Sequence, residues 1–151
     1  MVLTNNFEVD APLDLVWAQM LDVPRLVKCM PGVELTGVID ERTFEGKIGF
    51  KVGPIALAYR ARLHLEEVNQ EARTVTLWVE ANDSRGRGAG SAVVTATMRE
   101  GNGKTAISME SDVALTGLVA RFGRSGIIQD VSQRMAQRFA NCLEQELRQP
   151  S

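Results

Sequence analysis

The C-terminal part of the chain shows the clearest helical pattern of apolar residues. Between Thr116 and Gln149, apolar residues recur at spacings of three and four, with polar residues between them. This spacing places the apolar side chains along one side of a long helix, which glycines interrupt near its start. Such a helix cannot bury its apolar stripe alone, so it must pack on another element. The stripe consists of Ile128, Val131, Met135, Phe139, Cys142, Leu143 and Leu147.

Most of the chain before this helix alternates between apolar and polar residues. That alternation is typical of a strand with one buried and one wet side. It is longest from Ile55 to Glu66. Turn signals such as Gly53-Pro54 and Gly101-Asn102-Gly103 separate successive segments, and the glycine-rich stretch from Asn82 to Gly90 is predicted to be a loop. The pattern predicts a first strand at 3–10 and six more at 33–40, 44–51, 55–66, 75–79, 91–99 and 105–115.

Two short helices are predicted between the first and second strands. Pro12 is acceptable in the first turn of a helix, and the apolar residues that follow it have helical spacing. The sequence Asp22-Val23-Pro24 predicts a break, after which a second helix runs from Arg25 toward Cys29. Met30-Pro31-Gly32 then ends the helical region.

The order of these elements predicts an α+β fold in a single domain, residues 1–151. A doubly wound sheet requires strands and helices that alternate, whereas here six strands follow one another without a helix. The simplest arrangement is a curved antiparallel sheet of about seven strands around the long C-terminal helix. This arrangement buries both the helix stripe and the inner side of the strands.

Composition narrows the function without assigning it. The chain has 151 residues, 44% hydrophobic and 24% charged, with a net charge of −2. This balance is typical of a soluble globular protein and argues against a dedicated nucleic-acid binder. The two cysteines show no short spacing that would indicate a disulfide framework, and no signal pattern or membrane-spanning run occurs. We therefore expect a cytoplasmic protein in a reducing compartment.

No catalytic or metal-binding pattern is present. The single histidine, His64, falls on the wet side of its strand, where solvation explains it better than catalysis. Glu110 and Asp112 also alternate onto a wet side. The chain lacks the HExxH, Cys/His, EF-hand and Walker patterns. These observations predict a non-enzyme with no metal and no covalent cofactor.

The inner side of the predicted sheet mixes small, adaptable and aromatic residues. Small side chains leave space, and methionine adapts to irregular partners. An ordinary packed core and a hollow for an apolar ligand both fit this content. If a hollow exists, the residues predicted to line it are Phe44, Phe50, Tyr59, Leu77, Met109, Phe122 and Met135.

The start of the long helix contains three glycines, Gly117, Gly123 and Gly126, and Ser125 is predicted to cap the main helical segment. A helix start loosened by glycines can act as a gate over a cavity. A tight turn that needs glycine for its backbone angles is the alternative. Arg121 and Arg124 flank these glycines and are candidates for contact with a partner or with anionic lipid.

One tryptophan, Trp78, alternates onto the wet side of the sheet. A single exposed aromatic residue is common and needs no special explanation. Trp78 is nevertheless a candidate contact for a partner or a membrane.

The whole chain resembles the CoxG family, the G-subunit family of carbon monoxide dehydrogenase, within the START-like, polyketide-cyclase-like (SRPBCC) superfamily. The likeness combines an N-terminal block, two central blocks and a block before the long helix. These residues are Phe7, Val9, Ala11-Pro12, Val16-Trp17, Leu21-Asp22, Leu26, Cys29 to Val33, Phe44, Gly46-Lys47, Gly53-Pro54, Gly88, Gly90, Asp112 to Gly117, Ala120, Phe122-Gly123 and Ile128.

This resemblance implies a helix-grip fold and an accessory role. Members of the family are associated with a molybdenum hydroxylase of the carbon monoxide dehydrogenase type and with its recruitment to the membrane. The resemblance further implies a cavity for a quinone or lipid, peripheral contact with the inner face of the cytoplasmic membrane, and no shared catalytic residues.

Three functions remain open at this point. The first is a non-enzymatic accessory protein that holds an apolar ligand between sheet and helix. The second is a cavity enzyme of the polyketide cyclase or hydrolase type, for which Tyr59 is the obvious polar group. The third is a protein–protein adaptor with a filled core and an apolar patch around Trp78.

Overall fold

A computed structural model describes residues 1–117, residue 120 and residues 126–148. The chain forms the predicted α+β fold, with one seven-stranded antiparallel sheet in the order β1-β7-β6-β5-β4-β3-β2. The strands are β1 (Val2–Val9), β2 (Val33–Asp40), β3 (Thr43–Val52), β4 (Ile55–Asn69), β5 (Thr74–Asp83), β6 (Gly88–Gly101) and β7 (Lys104–Gly117).

The two short helices after β1 are confirmed, with one change at the break between them. Helix α1 spans Leu13–Leu21 and α2 spans Val23–Leu26, followed by a 3₁₀ turn at Val27–Cys29. The predicted breaker Pro24 lies inside the first turn of α2, where proline is tolerated because its missing N–H would have no helical partner. Asp22 ends α1 and caps α2, since its Oδ1 accepts a hydrogen bond of 3.3 Å from the backbone N–H of Arg25.

The long C-terminal helix, α3, spans Ile127–Arg148. It begins later than the sequence pattern suggests, because Thr116 and Gly117 belong to β7. The carbonyl of Gly126 accepts the N–H of Asp130, which closes the first turn. The predicted cap Ser125 lies outside the described residues.

The predicted glycine-rich loop at 82–90 is mostly strand. Strand β5 continues to Asp83 and β6 starts at Gly88, so the loop is reduced to residues 84–87. Pairing with β7 explains the difference, because Gly88, Ala89 and Gly90 are in register with Gly117, Thr116 and Leu115. Glycine has a low strand propensity, but the hydrogen-bonded pairing with β7 outweighs this preference here.

The main hydrophobic core lies at one end of the sheet. Helices α1 and α2 and the C-terminal half of α3 pack there on β1, β6 and β7. Val9, Val16 and Leu143 are fully buried at its centre. Phe7 of β1 and Phe139 of α3 meet edge to face, with ring centroids 6.0 Å apart.

Cys29 and Cys142 form a disulfide. The expectation that the two cysteines form no disulfide, which rested on their lack of a short spacing, is therefore wrong. The bond joins the 3₁₀ turn after α2 to the C-terminal half of α3, with the two Cα atoms 5.4 Å apart. Local cysteine spacing could not predict this bond, because the two cysteines are 113 residues apart in sequence and only the fold brings them together. Cysteine content therefore no longer indicates a reducing compartment.

Candidate functional site between sheet and helix

Apolar side chains that are only partly buried lie on the inner side of the sheet and on the N-terminal half of α3. Helix α3 follows β1 along the edge of the sheet and also approaches the 3₁₀ turn and α1. Across from it, the inner sides of β5, β6 and β7 carry a row of small apolar side chains in register: Val79, Ala92 and Val113. All three are only half-buried, although they face the concave interior.

The apolar stripe on the N-terminal half of α3 is incompletely buried as well. Ile128, Val131 and Met135 are half-buried, whereas Ala140 and Leu143 in the second half of the helix are 1% and 0% exposed. Within the described residues, neither the row on the sheet nor these three helix residues pack against a buried cluster. We call the space between them the sheet–helix gap.

A second, smaller apolar cluster, the distal cluster, lies beyond the gap, where β4 begins. Leu57 and Tyr59 are 3% and 5% exposed at its centre. The rings of Phe50 and Tyr59 stack with centroids 5.7 Å apart and planes 9° from parallel. The gap thus has an apolar boundary at both ends. The partly buried members of the distal cluster are Ile48, Phe50, Ile55, Ala81 and Leu115.

The structure distributes the predicted lining residues over three places. Phe44 is 7% exposed and belongs to the main core. Leu77 and Met109 are half-buried at the edge of that core, and Met135 faces the gap from α3. Phe50 and Tyr59 form part of the distal cluster, and Phe122 lies outside the described residues.

Two of the predicted gate glycines, Gly117 and Gly126, lie among the described residues, and glycine is favoured at each for a different structural reason. Gly117 has a φ of +73°, and a Cβ there would collide with the backbone of Arg87 and Gly88. Close approach between the end of β7 and the β5–β6 loop therefore requires glycine at this position. Gly126 has a φ of +79°, and no described residue lies within 4 Å of the position that a Cβ would take, so the backbone angle favours glycine here. Gly123, Arg121 and Arg124 lie outside the described residues, and the gate stays a prediction.

An ion pair between the buried Asp83 and the half-buried Arg87 lies next to the distal cluster. The Asp83 side chain is fully buried on the inner side of β5, directly across from Tyr59. Its carboxylate accepts hydrogen bonds from Nε, Nη2 and the backbone N–H of Arg87, at 2.7, 3.2 and 2.8 Å. These hydrogen bonds lower the pKa of Asp83, and the carboxylate in turn raises the pKa of Arg87. Alternation missed Asp83 because the sequence pattern placed it in a loop.

The same environment argues against Tyr59 as a catalytic base. Burial raises the pKa of Tyr59 above its ordinary value, and the negative charge of Asp83 raises it further. The phenol therefore stays protonated at neutral pH. A general base needs a pKa near the working pH, so Tyr59 is poorly suited to that role and contributes packing surface in the distal cluster.

Replacement of Asp83 by asparagine should remove an acid-sensitive part of the protein's stability. Because the folded-state pKa of Asp83 lies below its unfolded value, its contribution is present above the ordinary carboxyl range and is lost as pH falls through the folded pKa. We expect Asp83→Asn to lower the melting temperature at pH 7 and to flatten its decline in acid. Thermal unfolding from pH 7 to pH 3 measures both effects. Glu110→Gln, on the exposed outer side of β7, is the matched control and should leave the profile unchanged.

Two polar residues bridge β1 and α3 beside the gap. Asn5 is 6% exposed, and its Nδ2 donates to Oγ of Ser132 over 2.7 Å. One turn earlier, Nε2 of Gln129 donates to the carbonyl of Thr4 over 3.3 Å. The sequence contained a signal for Asn5, since it alternates with the inward residues Leu3, Phe7 and Val9.

The remaining titratable candidates lie on the outer side of the sheet. Nδ1 of His64 is 2.9 Å from Oγ1 of Thr43, its neighbour on β3. Glu110 and Asp112 are exposed. Among the described residues, no three His, Cys, Asp or Glu side chains are grouped closely enough to hold a metal ion.

Trp78 also lies on the outer side, half-buried between His64 on β4 and the exposed Val93 on β6. In the part of the chain that the structure describes, no helix is both long enough and apolar enough to cross a membrane.

Comparison with known proteins identifies the family. The sequence profile of CoxG, the G-subunit of carbon monoxide dehydrogenase, matches residues 6–148. The chain belongs to the CoxG family. The match runs from within β1 to the end of α3. No curated protein is a significant match to the sequence.

Solved structures share the helix-grip fold at low sequence identity. A conserved protein from Geobacillus kaustophilus has a TM-score of 0.85 at 17% identity, covering 97% of this chain and 95% of that one. The Zhui aromatase/cyclase from a Streptomyces species has a TM-score of 0.66 at 14% identity, with 98% and 93% covered. A truncated norcoclaurine synthase from Thalictrum flavum has a TM-score of 0.60 at 16% identity, with 95% and 92% covered. These likenesses establish the fold of this CoxG-family chain.

Proposed function

We propose that this protein is a non-enzymatic accessory protein that holds an apolar ligand in the sheet–helix gap. The ligand is a quinone or a lipid, and the partner is a molybdenum hydroxylase of the carbon monoxide dehydrogenase type. In this role the protein takes up its ligand at the membrane and assists recruitment of the enzyme or delivery of electrons. Family membership supports the association with carbon monoxide dehydrogenase.

The half-buried apolar surfaces on both sides of the gap are the observation that carries the proposal. Full burial of a Val or Met side chain contributes about 1.5–3 kcal/mol. The row Val79, Ala92 and Val113 and the facing side of α3 leave part of this contribution unused. An apolar ligand between them would complete the burial of both walls without any change in the core.

Exposed basic residues lie at the end of the sheet where the gap meets the distal cluster. The β3–β4 turn, the β5–β6 loop and the end of β7 are brought to this end by the antiparallel register. Glu45 and Glu80 lie farther from the turns along β3 and β5. Asp83 is neutralised by Arg87. This distribution suits contact with anionic phospholipid headgroups. The exposed basic residues are Lys47, Lys51, Arg60 and Arg85.

Uptake of ligand from vesicles tests the proposal directly. Apo protein is incubated with vesicles of anionic phospholipid that contain menaquinone, then re-isolated and weighed by native mass spectrometry. We expect a mass increase equal to one quinone or one phospholipid, and solvent extraction identifies which. Ala92→Phe fills the middle of the gap and should reduce the loaded fraction at least tenfold.

Ala114→Phe provides the matched control, because Ala114 is exposed on the outer side of the neighbouring strand. This variant should load like the wild type. Equal loading of both variants would place the ligand outside the gap. A wild-type mass that stays that of the apo protein after exposure to vesicles would refute the carrier function. Co-purification of the oxidoreductase from the native host tests the partner separately.

A further inference from the structure

Asn5 carries a buried hydrogen-bond acceptor without a partner among the described residues. The side chain points from β1 toward α3, because its Nδ2 donates to Oγ of Ser132. Oδ1 of the same amide is sealed from solvent and unpaired. A buried carbonyl oxygen left unpaired costs more than an ordinary hydrogen bond contributes, so this group is expected to have a partner in the functional state.

The position of Asn5 connects this acceptor with the gap. Met109 lies directly across from Asn5 on β7, and Ser111 is the next inward residue of that strand. Both are half-buried, and Val113, a member of the gap row, follows them. The amide of Asn5 and the hydroxyl of Ser132 therefore form a small polar spot at the edge of an otherwise apolar space.

We propose that Asn5 is the polar anchor for the ligand and that the ligand is an apolar molecule carrying a hydroxyl donor, as a phenol or the reduced quinol form of a quinone does. The inference rests on the function proposed above and adds the chemical class of the ligand. Oδ1 can only accept, so a hydroxyl satisfies it, whereas a hydrocarbon or an ether in the same place leaves it unpaired. Ser132 holds the amide in this orientation by accepting from Nδ2.

A pair of probes that differ in one hydrogen-bond donor tests the anchor. 2-Naphthol and 2-methoxynaphthalene have the same fused rings, but the ether lacks the hydroxyl proton. Calorimetric titration of wild-type protein should show about three- to tenfold tighter binding of 2-naphthol, the range of one neutral hydrogen bond. In Asn5→Leu, which keeps the side-chain shape, the ratio should fall to about one.

Asn6 offers a matched control on the same strand. Its side chain lies on the exposed outer side, where Oδ1 accepts from the hydroxyl of Ser108 over 2.7 Å. Asn6→Leu therefore removes an asparagine–serine pair of the same kind away from the gap. We expect this variant to keep the wild-type preference for 2-naphthol.

The outcomes test the hydrogen bond to Asn5 and the apolar binding site separately. Equal binding of both probes to wild type would leave the apolar site intact and overturn the anchor, as would occupation of Oδ1 by a bound water. Tighter binding of the ether would mean that Nδ2 faces the ligand, which overturns Oδ1 as the acceptor. Binding of neither probe would overturn the anchor and the proposed carrier function together.

A measurement on wild-type protein covers the case in which Asn5→Leu does not fold. The side-chain amide resonances of Asn5, observed by NMR with ¹⁵N label, should shift on titration with 2-naphthol and remain in place with 2-methoxynaphthalene. Identical shifts with both probes would contradict the proposed hydrogen bond.

Discussion

Loss of the Cys29–Cys142 disulfide should lower the free energy of unfolding by about 4–5 kcal/mol in the chain-entropy model. The effect is large because the cross-link joins residues 113 apart and therefore restricts most of the unfolded chain. For a domain of this size, the loss corresponds to a decrease of about 10–20 °C in melting temperature. Differential scanning calorimetry of wild type and Cys142→Ala measures it.

A reducing agent separates the cross-link from the side chain that is changed. Addition of reductant should bring the melting temperature of wild type down to that of Cys142→Ala and leave the variant unaffected. Intact mass after alkylation should show two blocked thiols only in the reduced wild type. Two alkylated thiols without reductant would contradict the bond itself.

Leu143→Ala should destabilise the protein by about 2–5 kcal/mol, because it leaves a cavity in the main core. Leu143 is fully buried where the C-terminal half of α3 packs on the sheet and the short helices. Chemical denaturation should show a lower midpoint with an unchanged slope.

Leu15→Ala provides the comparison for this core substitution. Leu15 also lies in a helix, but it is 50% exposed. Its replacement should change the free energy of unfolding by less than about 0.5 kcal/mol. Similar losses in the two variants would mean that α3 is not anchored through Leu143.

These two predictions concern the same half of α3, and the contrast with the other half bears on function. The C-terminal half is held by the disulfide and by full burial of Ala140 and Leu143. The N-terminal half faces the gap and is joined to β1 through Asn5–Ser132 and Gln129–Thr4. A helix fixed at one end and lightly held at the other suits a site that must admit an apolar ligand.

The family assignment and the site geometry answer different questions. The CoxG family is a family of carbon monoxide dehydrogenase subunits, and membership in it supports the proposed partner. It does not say which residues touch a ligand. The gap row, the polar spot at Asn5 and the Asp83–Arg87 pair define the parts of this chain that experiments on ligand binding should address first.

Local patterns in the chain were sufficient to predict the order of the elements and therefore the fold class. Alternation at period two and apolar spacing of three and four are local properties, and the described elements follow them in order, with differences at residues 82–90 and at the start of α3. The same patterns predicted that Leu77, Met109 and Met135 face inward and that His64 and Trp78 face outward. In a strand, alternation fixes which side of the sheet each residue faces, because a shift of one residue would reverse every side chain.

Contacts between distant segments became visible only in the folded chain. The pairing of Cys29 with Cys142, the contact of Asn5 with Ser132 and the burial of Asp83 against Arg87 depend on how distant segments pack or on how far a strand continues. The division of the interior into two apolar clusters, with partly buried residues outside both, is equally a matter of packing. Pattern alone cannot supply it, because inward-facing residues of a filled core and of a hollow one have the same alternation in sequence.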